Sequence, residues 1–198
     1  MARIKDRHTR HAVGYEENLR LARTVDENET EPSAVDVDTG NFLAVKIIKA
    51  PKGENTRQLC EMKRDVEILA RMIHPHIVEF IGFQGWGEPE AEIFMGLKQG
   101  TLGSLVRSRS FATGNLGNAL LSHMLQALDF LAVQDIVHRD VKPVNILYVV
   151  EAGQLRFQLG DFGLSNRISD AVTFAGSLFY MAPEMFQRRQ RQTHKVDV

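Results

Sequence analysis

The chain has 198 residues, 43% of them hydrophobic and 25% charged, with a formal net charge of −1. That balance allows a core in one or two small domains and leaves no electrostatic footprint for nucleic acid or an anionic membrane. The one cysteine, Cys60, excludes an intramolecular disulfide and suits a reducing compartment, and no apolar run reaches the ~20 residues of a membrane span.

Residues 1–33 are polar. The first eleven carry Arg3, Lys5, Arg7, Arg10 and two histidines; they lack the apolar core of a secretory signal and read as a solvated tail. Residues 24–31 run Thr-Val-Asp-Glu-Asn-Glu-Thr-Glu, four acids in eight. Ala34-Val35-Asp36 and Phe42–Ile48 then flank Asp38-Thr39-Gly40-Asn41, which predicts a β-hairpin with Lys46 on its second strand. From 57 to 73, Cys60, Met62, Val66, Leu69 and Ile73 recur at helical spacing, while Glu61, Lys63, Arg64, Asp65, Glu67 and Arg71 fill the other faces. Pro75 stops this helix. Residues 77–83 and 92–97 read as strands, with Gly85, Gly87 and Pro89 marking the turn and Met95 and Leu97 closing the second strand. A further helix is expected to begin at Gly100-Thr101-Leu102.

In the second half, Leu116, Leu120, Leu121, Met124, Leu125, Leu128 and Leu131 recur at helical spacing and predict a buried helix over 116–134. It leads into His138-Arg139-Asp140-Val141-Lys142-Pro143-Val144-Asn145-Ile146-Leu147. An acid, two bases, a proline and an amide so close together make poor core, because buried charges need partners. The stretch reads as a loop that gathers polar groups at one point. Its aspartate can accept a hydroxyl proton, the lysine two places on can steady a phosphate, and the asparagine five places on can hold a metal. Ile146–Val150 and Leu155–Leu159 around Glu151-Ala152-Gly153 predict a second hairpin. Asp161-Phe162-Gly163 begins 21 residues after Asp140, and Ala182-Pro183-Glu184 ends 23 residues after Asp161. Arg188, Arg189 and Arg191 then read as a solvated loop, and the sequence runs to Val196-Asp197-Val198.

The three motifs, in this order and spacing, resemble H-R-D-x-x-x-x-N, D-F-G and A-P-E of the eukaryotic protein kinases, over about residues 34–198. Lys142 resembles the serine/threonine branch. The resemblance implies an α+β, two-lobed fold: residues 34–97 a small antiparallel β lobe with one helix, and residues 98–198 a mainly α-helical lobe. On the same resemblance that lobe would be C-terminally truncated, the family's helices after Asp197 having no counterpart in these 198 residues. Residues 1–33 would be a polar, partly disordered segment. The implied activity is transfer of a phosphoryl group from ATP, with Mg2+, to the hydroxyl of a protein substrate. No nucleic-acid or membrane partner is implied, and the setting is intracellular, in cytoplasm or nucleus.

Site roles carry over by position. Ala44-Val45-Lys46 resembles V-A-I-K, so Ala44 would touch adenine and Lys46 the α- and β-phosphates. Met95 would be the gatekeeper, and Leu97 and Leu147 would line the same nucleotide site. Asp140 would orient and deprotonate the substrate hydroxyl, Lys142 would stabilise the transferred group, and Asn145 and Asp161 would hold two magnesium ions. Ser177 falls where the branch places a hydroxyl against Asp140 and Lys142. Thr173 matches the primary activation site, with Arg139, and secondarily Arg167, to grip its phosphate. Leu69, Phe80, His138 and Phe162 match an apolar column between the lobes.

The pattern departs from the family in two further places. Asp65 stands where a glutamate normally pairs with the strand lysine, one methylene short. No G-x-G-x-x-G precedes Ala34; Asp26, Glu27, Glu29 and Glu31 occupy that window, and carboxylates repel a triphosphate. Two alternatives therefore stand beside the active kinase: a pseudokinase or non-catalytic interaction module, and an incomplete fragment.

Overall fold

The structure, a computed structural model, describes residues 21–24, 33–36, 40–49, 66–85, 90–108, 116–162, 166–167, 178–186 and 193–198. The chain divides into two units. One comprises residues up to Met72 together with Glu79–Leu97; the other comprises Ile73–Val78 together with Lys98–Val198. The short segment 73–78 thus groups with the second unit, inside the stretch expected to belong to the first.

The first unit is an antiparallel sheet of β1 (Leu21–Thr24), β2 (Ser33–Asp36), β3 (Phe42–Lys49), β4 (Phe80–Gln84) and β5 (Glu90–Gly96), in the order β1-β2-β3-β5-β4. The predicted β2–β3 hairpin is present. Gly40 takes φ +73 in its turn and donates its N–H to the Asp36 carbonyl at 2.7 Å, a conformation that suits a residue without Cβ. Along β3, Leu43 and Val45 are buried and alternate with Ala44 and Lys46, as a two-residue period requires. Leu43 opposes Ala34, Val45 opposes Phe94, and these four form one apolar cluster flanked by Ile47 and Ile81.

Several boundaries differ from the sequence reading. The sheet starts at Leu21, not at 34: Leu21–Thr24 pairs with β2 although its Leu-Ala-Arg-Thr composition is too short and mixed to announce a strand. β4 begins at Phe80, because Ile77 makes a single parallel bridge to Leu159 instead. β5 covers 90–96, and Leu97 lies just beyond it. Of the helix expected over 57–73, residues 57–65 lie outside the described ones; residues 66–69 are helical and carry the buried Val66, Ile68 and Leu69. It stops there, with Arg71 and Met72 bonding three residues back, so Ile73 is 88% exposed instead of sitting on the apolar face.

In the second unit, β6 (Gly100–Thr101) pairs with β8 (Ile146–Glu151), which pairs with β9 (Gln154–Leu159). Gly100 and Thr101 are therefore strand, not helix. Thr101 caps α1 (Leu102–Arg107), its hydroxyl accepting the Ser104 N–H while the Ser104 hydroxyl accepts the Thr101 N–H, both at 3.1 Å. The β8–β9 hairpin closes on Ala152 and Gly153, both at positive φ, as a two-residue primed turn demands.

Helix α2 (Leu116–Val133) packs on β9 and on β7 (Ile136–Val137), which pairs with β10 (Asn166–Arg167). It buries Met124, Ala127 and Leu131, whereas Leu121 is 60% and Leu125 48% exposed. The helix is amphipathic, not buried all round as its leucine spacing suggested. By length and composition it meets the minimum for a membrane span, which the sequence reading had not found. Its exposed Asn118, Ser122, Gln126 and Asp129 would be costly in hydrocarbon, and its inner face is spent on β9. Short 3₁₀ turns follow at Leu178–Tyr180, Pro183–Phe186 and His194–Asp197, with Met185 and Val196 packed against Val137.

Candidate active site

The polar groups of residues 138–147 converge in the second unit. The loop leaves β7 at Val137 and re-enters regular structure at Ile146 on β8, so both ends are anchored in strands. Within it, Asn145 donates its backbone N–H to the Lys142 carbonyl, and Gly160 donates to the Asn145 carbonyl, each at 2.9 Å. The Pro143 carbonyl is held by the Gly103 N–H at 2.9 Å.

Asp140 is only 6% exposed, and its carboxylate is met by two side chains. Lys142 Nζ lies 2.7 Å from Oδ2, and Asn145 Nδ2 donates to the same Oδ2 at 2.9 Å. The second Nδ2 bond of Asn145 goes to the Asp140 carbonyl, also at 2.9 Å. A buried carboxylate is tolerable because an ammonium and an amide offset its lost hydration. The arrangement gives one buried base with a cation beside it.

His138 organises the floor of the loop. It is fully buried, its Nε2 meets the Gly160 carbonyl at 2.9 Å, and its Nδ1 accepts the Asp140 N–H at 3.3 Å. Those partners put the ring proton on Nε2 and keep the imidazole neutral. Burial pushes its pKa below the usual range, against the opposing pull of Asp197, the Gly160 carbonyl, Asp161 and Asp140. The ring of Phe162 meets it edge-on at 4.8 Å. Leu69 and Phe80, the other expected members of the column, belong to the first unit.

Asp161 leaves β9 in the left-handed region, φ +58, and Arg139 does the same at +68. Non-glycine residues rarely hold such angles without surrounding constraint. For Arg139 the constraint is visible in Asp197, whose Oδ1 accepts the Arg139 N–H and whose Oδ2 accepts the His138 N–H, both at 2.7 Å. Burial raises the pKa of Asp197; the two backbone donors, the neighbouring His138 ring and the Arg139 charge act the other way. Asp161 follows Gly160, where an added Cβ would stand 3.0 Å from Val78 Cγ2 and 3.2 Å from Leu147 Cδ1. Only glycine fits that approach without displacing both neighbours.

As for a cation, no group of three or more His, Cys, Asp or Glu ligands forms among the described residues. Oxygen donors expected for a cation are the Asp161 carboxylate and the Asn145 amide oxygen, Asn145 committing its nitrogen to Asp140. Two oxygen donors fit magnesium, which keeps several waters and binds through one or two side chains plus phosphate, and do not fit a metal needing a full protein cage.

The first unit holds most of the rest of the expected nucleotide set. Ala44 on β3 opposes Met95 on β5, Lys46 opposes Ile93, and Ala44, Met95 and Lys46 are half-buried; Leu147, also of that set, lies on β8 in the second unit. Leu97 is exposed just after β5. Asp65, Thr173 and Ser177 lie outside the described residues. Sequence reasoning missed the part played by Gly160 and by Asp197 in holding the loop. The signals were a glycine directly before Asp161 and a lone carboxylate between two valines.

Comparison with known proteins agrees with this geometry. Residues 32–198 match the protein kinase domain family. Serine/threonine-protein kinase BCK1/SLK1/SSP31 of Saccharomyces cerevisiae is 28% identical over 83% of the chain, which spans 12% of that protein. Serine/threonine-protein kinase ULK3 of Mus musculus is 32% identical over 77% of the chain, which spans 33% of it. Mitogen-activated protein kinase kinase kinase 3 of Arabidopsis thaliana is 27% identical over 81%, spanning 27%. Among solved structures, the yeast RNA Pol II CTD kinase CTDK-1 complex includes a chain of similar fold, with a TM-score of 0.72 at 19% identity; the match covers 98% of this chain and 60% of that one.

Proposed function

The chain belongs to the protein kinase domain family, and on that premise we propose that it is a serine/threonine protein kinase moving the γ-phosphoryl group of ATP to a protein hydroxyl. The observation that carries the proposal is the buried Asp140 carboxylate with Lys142 and Asn145 on one oxygen. Family membership implies ATP, typically with magnesium, and a protein substrate.

In this reading Asp140 orients the substrate hydroxyl and takes its proton. Lys142, one ion pair away, stabilises charge on the transferred group. Phosphoryl transfer asks for placement and charge neutralisation more than covalent chemistry, and a loop anchored at β7, β8 and Asp197 supplies the placement. Asn145 and Asp161 hold magnesium, which when bound offsets phosphate charge. Lys46 takes the phosphates, with Asp65 as its partner; Ala44, Met95, Leu97 and Leu147 take the adenine. The family pattern would assign Ser177 a role beside Asp140 and Lys142, and Arg139 the role of partner to a phosphate on Thr173. The setting is intracellular, as the single cysteine and the use of ATP suggest.

A second reading has its own observation. β1 and β2 are adjacent antiparallel strands, and residues 25–32 that join them read Val-Asp-Glu-Asn-Glu-Thr-Glu-Pro. A connection with four acids and no glycine favours a non-catalytic module that binds nucleotide poorly.

One experiment separates the two. The chain is incubated with magnesium, γ-labelled ATP and a mixed acceptor such as casein. The kinase reading expects label on serine or threonine, absent with Asp140→Asn. No label from a folded wild-type chain supports the module.

A further inference from the structure

Three imidazoles meet where segment Ile73–Val78 lies against β9. The rings of His76 and His123 stack with centroids 4.0 Å apart and planes 17° apart. His74 meets His76 edge-on at 5.6 Å and stacks on Phe130 of α2 at 5.0 Å, and His123 tilts against Phe157 at 6.1 Å.

Hydrogen bonds assign the ring protons. His76 Nδ1 faces the Phe157 carbonyl at 3.0 Å and so carries its proton there. His123 Nδ1 accepts the Phe157 N–H at 3.3 Å, and His74 Nδ1 accepts the His76 N–H at 3.2 Å. Those two rings carry their single proton on Nε2. The same segment is tied to β9 by Val78 N–H to the Leu159 carbonyl at 2.9 Å and Leu159 N–H to the His76 carbonyl at 2.8 Å. The Gln158 amide adds bonds to the carbonyls of Pro75 and Ile77 at 3.0 and 3.3 Å.

A second proton on His123 sets its Nδ1–H against the Phe157 N–H, and one on His74 does the same against the His76 N–H. Each turns an attraction into donor facing donor. Burial first, and then the neighbouring charges, hold both rings below the ordinary imidazole range: His76 acts on both, and Arg156 of β9 also acts on His123. From α2 the neighbour of His74 is the uncharged ring of Phe130. We propose that His74, His76 and His123 form a proton-operated latch, which fastens Ile73–Val78 to β9 while neutral and loosens it when His74 and His123 are protonated. The sign follows from linkage. Above about pH 6.5 a free imidazole is neutral and the latch costs nothing. Below it the released rings bind protons that the closed rings refuse, so closure weakens as pH falls.

Amide hydrogen exchange on the full chain, corrected for intrinsic rates, tests the latch at pH 7.5 and 5.5. Val78 and Leu159 should lose about tenfold in protection at the lower pH, one ring's linkage over one pH unit. The double variant His74→Gln with His123→Gln keeps an acceptor at each place and cannot titrate, so its protection should not change with pH. Protection independent of pH in the wild type, or an equal loss in the double variant, overturns the latch. Should the double variant not fold, wild-type imidazole titrations by NMR decide. Midpoints of His74 and His123 coinciding with the loss of protection support the latch, and titration without that loss overturns it.

Discussion

Asp197 and Arg139 are 58 residues apart in sequence, yet the carboxylate of one accepts the backbone N–H of the other at 2.7 Å. Arg139 sits at φ +68, so this bond holds an unfavourable angle directly before the proposed base. Replacing Asp197 with Ala leaves two buried donors, the N–H groups of His138 and Arg139, without a partner. At about 1–3 kcal/mol each, the expected loss is roughly 2–6 kcal/mol, read from urea midpoints. Asp197→Asn keeps one acceptor oxygen and should lose distinctly less. Equal losses from the two variants contradict the role.

Asp140→Asn should lower phosphoryl transfer by about 10²–10⁴-fold, the usual range for a lost general base. Nucleotide affinity should stay within about twofold, because the proposed role of Asp140 is toward the acceptor and not the nucleotide. Initial rates and a nucleotide titration at fixed magnesium measure both. An unchanged rate places the chemistry elsewhere.

Nucleotide should raise the melting temperature only with magnesium present. Asn145 and Asp161 have no attraction for phosphate until a cation lies between them. On the second reading the four acids of residues 25–32 would repel the phosphates, so Glu29→Gly with Glu31→Gly should tighten ATP binding severalfold. A full thermal shift in chelator, or weaker binding by the glycine variant, contradicts this account.

Stability should fall between pH 7.5 and 5.5. His138, His74 and His123 all have depressed values, so the unfolded chain binds protons below about pH 6.5 that the folded chain refuses. Each contributes at most about 1.4 kcal/mol per pH unit. The raised Asp197 works in the opposite sense, the folded state taking up its proton first as pH falls. Three groups outweigh one, and a urea midpoint that stays flat or rises on acidification contradicts the assignment.

A phosphate on Thr173 should raise activity, and Arg139→Ala should abolish that increase while sparing most of the basal rate. Phosphopeptide mapping beside rate measurements checks this. Full activity with Thr173 unmodified ends the reading.

The loop carrying Asp140, Lys142 and Asn145 was legible because buried charge has few structural uses, so its crowding pointed to chemistry before any fold was assigned. The β2–β3 and β8–β9 hairpins were legible from their turn residues. β1 was not, since Leu21–Thr24 is a strand only through pairing with β2, a tertiary cause invisible in four mixed residues. The exposed Leu121 and Leu125 were misread because spacing gives the period of a helix but not the width of the face that its partners cover. Asp197 escaped for the plainest reason: its partners are backbone groups, and a backbone N–H leaves no signature in sequence.

The allegiance of Ile73–Val78 bears on how this chain can be cut. A knife placed at Leu97 looks natural, between sheet and helices. It would strip β9 of its edge companion, leaving the Gln158 amide and the Leu159 N–H without the carbonyls they serve, while the severed sheet would trail a tether that had lost its mooring. Neither half is expected to behave as an autonomous piece. A more faithful dissection would graft residues 73–78 onto the downstream half through a short linker and bridge 72 to 79 in the upstream one.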